Sequence, residues 1–385
     1  MSHGRIGIVT LWKANYGSVL QCYATIKIFS SLGYDCELLV YKENNIVRRF
    51  AAGIRNRCYR YWVFLRYPKH KCKIKVSILS GKRQACVENF SINRFIEKNI
   101  FPKYMNYKEL KEYASADLTR AILSGSDQVW NANCVDFFMP GFLEFAPKNK
   151  RVAWAASFGT GEIAEFNIKR FAKKIKAFSM ISVREIGAER LVKELTGNDC
   201  ARLLDPAMML TAQEWKDYAK INASQLKNEK YLVAYFLDKP FPIALQVIEN
   251  LRIHYGYKVV VVATGMNYLE VMEFDQIFEG DPLELLKLIS ESQFVITDSF
   301  HATLFAIEFK KKFWTIERQY SHSYNQTERI DTLLSLFNLK NRLLFKDTCL
   351  EDVEREVDYS NTDSIIRYER DKARSYIADI LSKGD

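Results

Sequence analysis

The 385-residue chain has no Cys-x-x-Cys pair and only five histidines, none at zinc-ligand spacing from a cysteine. That removes zinc ribbons, zinc fingers and dithiol redox motifs from consideration, and no metal site is expected. Its eight cysteines (Cys22, Cys36, Cys58, Cys72, Cys86, Cys134, Cys200 and Cys349) then read as free thiols of a reducing compartment. Cys58, Cys72 and Cys86 recur every fourteen residues, but Pro68 interrupts any helix that would carry all three. No run approaches the ~20 apolar residues needed to cross a bilayer. The apolar run Ile6–Leu11 is too short for the core of a signal peptide and reads as a first strand. A cytoplasmic location is the expectation. Gly159-Thr160-Gly161-Glu162 lacks dinucleotide-binding spacing and reads as a loop, and no nucleophile-elbow motif occurs. Repeats and low-complexity tracts are absent.

What is present is ordinary for a globular protein: 48% hydrophobic and 26% charged residues. One core stops growing near roughly 250–300 residues, so two domains are expected. The net charge of +10 is unevenly placed. Residues 48–83 hold twelve Lys or Arg and no Asp or Glu; elsewhere 46 acidic residues slightly outnumber 44 basic ones.

Apolar runs that read as strands alternate with helical stretches. The first half offers strands at Arg5–Thr10, Cys36–Tyr41, Arg120–Ser124, Arg151–Ala156 and Ser179–Val183, with a helix at Gly17–Leu32. After Asp205-Pro206 come Tyr231–Leu237, Lys258–Ala263, Gln293–Thr297 and Lys312–Ile316, with helices at Pro282–Glu291 and Ala302–Phe309. Such alternation builds parallel sheets from βαβ units. The expected fold is α/β, with two doubly wound Rossmann-like domains facing a cleft, an architecture resembling that of the B-type glycosyltransferases. The expected boundaries are 1–205, 206–345 and a C-terminal amphipathic helical tail, 346–385.

Ligands of open α/β sheets sit beyond the carboxyl ends of the strands. Four strand ends carry polar segments there: Asn15-Tyr16-Gly17-Ser18-Val19-Leu20-Gln21, Gly125-Ser126-Asp127-Gln128-Val129-Trp130-Asn131, Ser182-Val183-Arg184-Glu185 and Asp298-Ser299-Phe300-His301-Ala302-Thr303. Each has a purely structural reading. Asn15, Asp127 and Ser299 are helix-capping or turn residues, His301 is a buried histidine bonded to Asp298, Arg184 pairs with Glu185, and Arg329 is a helix-end charge.

In order and spacing, these four segments resemble the polysaccharide pyruvyl transferases from about Arg5 to Arg342. Two departures stand out: Ala302 follows His301 where glycine is frequent, and Asn325-Gln326-Thr327-Glu328 precedes Arg329-Ile330 where a Ser/Gly-rich run is frequent. The resemblance implies transfer of pyruvate from phosphoenolpyruvate, a co-substrate, to a sugar as a cyclic ketal, with no other cofactor. His301, Asp127 and Asp298 would be catalytic. Arg184, Arg329, Ser299 and His301 would bind the donor, since guanidinium groups suit both phosphate and carboxylate. Asn15, Tyr16, Gly17, Ser126 and Gln128 would approach the acceptor, expected to be a lipid-linked oligosaccharide of a surface polysaccharide. His322 stands in a polar stretch and reads as a surface histidine.

Three readings stay open for residues 48–83: a solvated segment over the site, a surface for anionic lipid, or a nucleic-acid contact, the last without any recognised module. On the lipid reading the protein sits peripherally at the inner face of the membrane. Two other functions also stay open: a nucleotide-sugar-dependent glycosyltransferase and a non-catalytic membrane- or nucleic-acid-binding protein.

Overall fold

The computed structural model describes residues 3–13, 15–66, 90–131, 139–219, 229–262, 272–318, 327–346, 353 and 355–382. His322, the second half of the basic segment and the residues just before Thr327 lie outside them.

Two wholly parallel sheets form the framework. The first runs β1 (Arg5–Val9), β2 (Asp35–Tyr41), β3 (Lys103–Met105), β4 (Thr119–Ser124), β5 (Arg151–Ala156), β6 (Met180–Val183) and β7 (Ala201–Arg202), in spatial order β3-β2-β1-β4-β5-β6-β7. The second runs β8 (Tyr231–Tyr235), β9 (Lys258–Val262), β10 (Gln276–Phe278), β11 (Phe294–Thr297), β12 (Lys312–Ile316) and β13 (Leu343–Leu344), in order β10-β9-β8-β11-β12-β13. Chain order reverses between β1 and β4 and again between β8 and β11, which makes these the topological switch points where crevices open. The two-domain doubly wound α/β fold is the one the strand–helix alternation indicates.

Strands covered on both faces read as unbroken apolar runs. Phe294-Val295-Ile296-Thr297 and Val259-Val260-Val261-Val262 are buried throughout. The short edge strands β3, β7, β10 and β13 have no such run, and the sequence offers no sign of them.

The helix Thr362–Ser382 carries Ile366, Ala373, Tyr376, Ile377 and Ile380 on one buried face. It lies against both halves of the chain. Tyr376 donates to the Ala153 carbonyl at 3.1 Å and stacks on Trp154, while Arg370 donates to the carbonyls of Met208 and Leu210 and pairs with Glu308. Burying each large apolar side chain stabilises by about 1.5–3 kcal/mol, so this helix holds the sheets in register with each other. Among the described residues, Cys22, Cys36, Cys58 and Cys200 are free thiols, and no helix is long and apolar enough to cross a membrane.

Candidate functional site

Both switch points deliver polar residues to one buried cluster between the two sheets. From the first sheet, β1 leads into the helix Tyr16–Ser31, capped by Asn15, whose Oδ1 accepts the Ser18 amide at 3.0 Å. The strand β4 leads into Ser126-Asp127, and β6 into Arg184. From the second sheet, β11 leads through Asp298-Ser299 into the helix Phe300–Glu308.

Gly17 is where the halves meet most closely. A β-carbon placed there would stand 2.1 Å from Nδ1 and 2.3 Å from Cγ of His301, so only glycine lets the imidazole lie against this turn. The other ring nitrogen, Nε2, is 3.6 Å from Oδ2 of Asp205. Asp205 is the hub. Its Oδ2 also accepts from Ser126 Oγ at 2.9 Å and from Arg184 Nη1, and its Oδ1 accepts the Ala207 amide at 2.9 Å. Burial by itself raises its carboxyl pKa. His301, Arg184 and the Ala207 amide outweigh burial and hold it well below the ordinary value.

Arg184 is buried, with its Nε 3.3 Å from Glu185 and its guanidinium 4.3 Å from the centre of the Phe300 ring. Burial works against its charge, but Glu185, Asp205 and Asp127 offset that and raise its pKa. The Arg329 guanidinium stands 5.7 Å from the same ring and 3.9 Å from Asp127. Phe300 thus carries two cations on its π-system. Asp127 has φ +68°, a left-handed conformation that Asp tolerates better than most residues. Its carboxylate accepts from Ser18 Oγ at 2.7 Å and from the Gln128 amide at 2.9 Å.

The buried Nη2 of Arg184 has no hydrogen-bond partner among the described residues. An unmet buried donor costs about 1–3 kcal/mol, which a hydrogen-bond acceptor beside it would offset. Among the described residues no group of three or more His, Cys, Asp or Glu side chains is placed to hold a metal ion.

Of the residues singled out by sequence, His301, Arg184, Arg329, Asp127, Ser126 and Gly17 come together. The others hold supporting positions. Asp298 accepts the Leu237 and Asp238 amides at 2.7 and 3.0 Å and pairs with Arg318 at 3.2 Å. Its carboxyl pKa is raised, chiefly by burial, with Arg318 and the amides pulling the other way. The imidazole therefore faces Asp205 rather than Asp298. Ser299 caps the His301 helix. Tyr16 donates to the Gly280 carbonyl at 2.9 Å and packs edge-on against Tyr235, which ties the domains together. Gln128 accepts from Asn131 at 2.8 Å. Sequence reading missed Asp205, Ser18 and Phe300. Asp205 follows the two-residue edge strand β7, and its one visible signal, Asp before Pro, is also that of an ordinary helix cap.

Gly17→Ala is expected to lower any activity that uses His301 by about tenfold to a hundredfold, because displacing a reacting group by ~1 Å costs on that order. Steady-state kinetics beside a melting curve checks this; unchanged turnover would show that the imidazole's seat against residue 17 is immaterial.

A family model described as polysaccharide pyruvyl transferase matches residues 15–320, which spans all four strand-end segments and stops short of Arg329. No curated protein matches the chain. Solved structures it is similar to include the UDP-N-acetylglucosamine 2-epimerase of Rickettsia bellii, at 10% identity and TM-score 0.49, covering 100% of this chain and 99% of that one. Others are the UDP-GlcNAc 2-epimerase of Methanocaldococcus jannaschii (11%, 0.48, 96% and 99%) and MurG of Acinetobacter baumannii (10%, 0.44, 99% and 99%).

Proposed function

Because the chain belongs to the polysaccharide pyruvyl transferase family, we propose that it moves the pyruvyl group of phosphoenolpyruvate onto two hydroxyls of a sugar in a surface-polysaccharide precursor. The observation that supports this donor is the unmet buried nitrogen Arg184 Nη2, with Arg329 on the same Phe300 ring. A small ligand with both a phosphate and a carboxylate suits such a cluster.

The chemistry sets the roles. The enol methylene of the donor gains a proton, and one sugar hydroxyl oxygen bonds to the neighbouring carbon. The C–O bond to phosphate then breaks, and the second hydroxyl closes the ketal. Two hydroxyl protons are lost; one ends on the new methyl group and one leaves with phosphate. The balance calls for a general acid and a general base, and for no redox cofactor. We assign the acid to His301, held by Asp205, and the first hydroxyl proton to Asp127, whose orientation Ser18 fixes. Arg184 and Arg329 face the donor, and Asn15, Ser126 and Gln128 line the acceptor side. Asp298, Ser299 and Tyr16 shape the site through the backbone they hold. A lipid-linked acceptor would bring the enzyme to the cytoplasmic membrane surface as a peripheral protein.

Donor binding is testable directly. At a hundredfold excess over its Kd a ligand stabilises by ~2.7 kcal/mol, so phosphoenolpyruvate is expected to raise the melting temperature by about 3 °C at the ~2 cal/mol/K of unfolding entropy per residue. UDP should leave it unchanged. Phosphate release with lipid-linked sugars, and an acceptor mass increased by one pyruvate less one water, completes the assay. A shift with UDP alone would move the chain to nucleotide-sugar chemistry.

A further inference from the structure

The helix Ile46–Arg66 contains six arginines and no acidic residue. At 3.6 residues per turn, Ile46, Val47, Phe50, Ile54, Tyr61 and Leu65 fall within about 100° of its circumference. All six are exposed: Ile46 by 79%, Phe50 by 71% and Leu65 by 60%. The opposite side is seated on the protein. Val63 is fully buried against Ala164 and Phe166, the Tyr59 hydroxyl donates to the Phe166 carbonyl at 3.2 Å, and the Arg170 guanidinium lies 4.4 Å from the Tyr59 ring centre. An apolar stripe on a helix docked by its other face cannot be explained by the core.

We propose that this helix is an interfacial anchor that seats the enzyme on an anionic lipid surface. The stripe suits the headgroup–acyl boundary, and a helix with six arginines and no carboxylate complements anionic headgroups. Nucleic acid would use the charge but not the apolar stripe. A second copy would use the stripe but would have to bring Arg57, which falls within it, and the flanking Arg49 and Arg60 against their own counterparts.

Placement adds a functional reason. The helix rests on residues 164–166, part of the loop that leaves the carboxyl end of β5, the edge of the sheet that carries the site. The same loop closes on the site: a β-carbon at Gly159 would meet Gln128 Oε1 at 2.6 Å, and one at Gly161 would meet the Glu328 carboxylate at 2.5 Å. An anchor here turns the acceptor side of the crevice toward the membrane, where a lipid-linked sugar would be presented. The anchoring itself does not depend on the identity of the reaction.

The test is sedimentation of the full chain with phosphatidylcholine vesicles, with and without phosphatidylglycerol, at low and high salt. The expected result is pelleting with the anionic vesicles, reduced at high salt. The triple variant F50S/I54S/L65S should lose at least ~100-fold in partitioning, since each lost apolar side chain removes roughly a factor of ten. Its melting temperature should match the parent's, since these side chains face outward. The proposal is overturned if the parent stays in the supernatant, if the variant pellets equally, or if size exclusion shows that the parent is a dimer which the triple substitution dissociates.

Discussion

Replacing His301 with alanine is expected to lower phosphate release from phosphoenolpyruvate by ~10²–10⁴-fold, the range for losing a positioned general acid. The fold should survive. Asp205 keeps Ser126, Arg184 and the Ala207 amide as partners, so no carboxylate is stranded. His301→Asn is the sharper variant, because it keeps a donor near Asp205 but cannot carry a proton. If the imidazole acts as the acid, both variants fail alike in turnover while phosphoenolpyruvate still raises the melting temperature through Arg184 and Arg329. If it only binds the donor, asparagine restores most of the rate. Near-normal turnover in the alanine variant would remove residue 301 from the chemistry. Gly17→Ala gives an independent check, since it disturbs the same ring from the other domain.

How much of this was legible beforehand follows from the range of the interactions. The long buried strands announce themselves because a strand covered on both faces must be apolar throughout. The residues at their carboxyl ends stand out for the converse reason: polar groups beside an apolar run. Arg184, Asp127 and His301 could all be picked out that way. What could not be read was which groups meet. Asp298 lies three residues before His301, and local reasoning pairs them; in the fold Asp298 turns to the loop after β8 and Arg318, and the carboxylate nearest the imidazole comes from Asp205, 96 positions earlier. Ser18 and Asp127 meet across 109 positions. Such pairings depend on how two domains close, and neither propensity nor periodicity carries that information. The helix Ile46–Arg66 was half legible: its charge bias is plain in the sequence, but which face remains outside was decided by Tyr59 and Val63.

Arg184→Met is expected to cost about 3–5 kcal/mol of stability, the usual penalty for removing one partner of a buried ion pair. Asp205 and Glu185 would remain buried without their shared cation. The pH dependence distinguishes this cause from simple loss of packing. In the parent, Asp205 has a folded pKa below its ordinary value of 3.8. Its contribution is therefore fully present above pH 3.8 and is lost as pH falls through the folded value. In the variant, burial is no longer opposed by the guanidinium, so the folded pKa moves upward. The penalty is then present at neutral pH and is relieved as pH falls through that raised value. His301 and the Ala207 amide still oppose burial in the variant, so the gap between parent and variant should narrow only as pH falls through that raised value, as read from urea midpoints at each pH. Arg184→Lys should recover part of the stability but not donor binding, because a single ammonium cannot hold Asp205 and also present a second nitrogen to an anion. Adding D205N to R184M should recover stability over R184M alone, since it removes a stranded charge. A gap that is under about 1 kcal/mol, or that stays constant across the pH range, would mean that the buried carboxylates do not depend on Arg184 and that the guanidinium is free to serve the ligand alone.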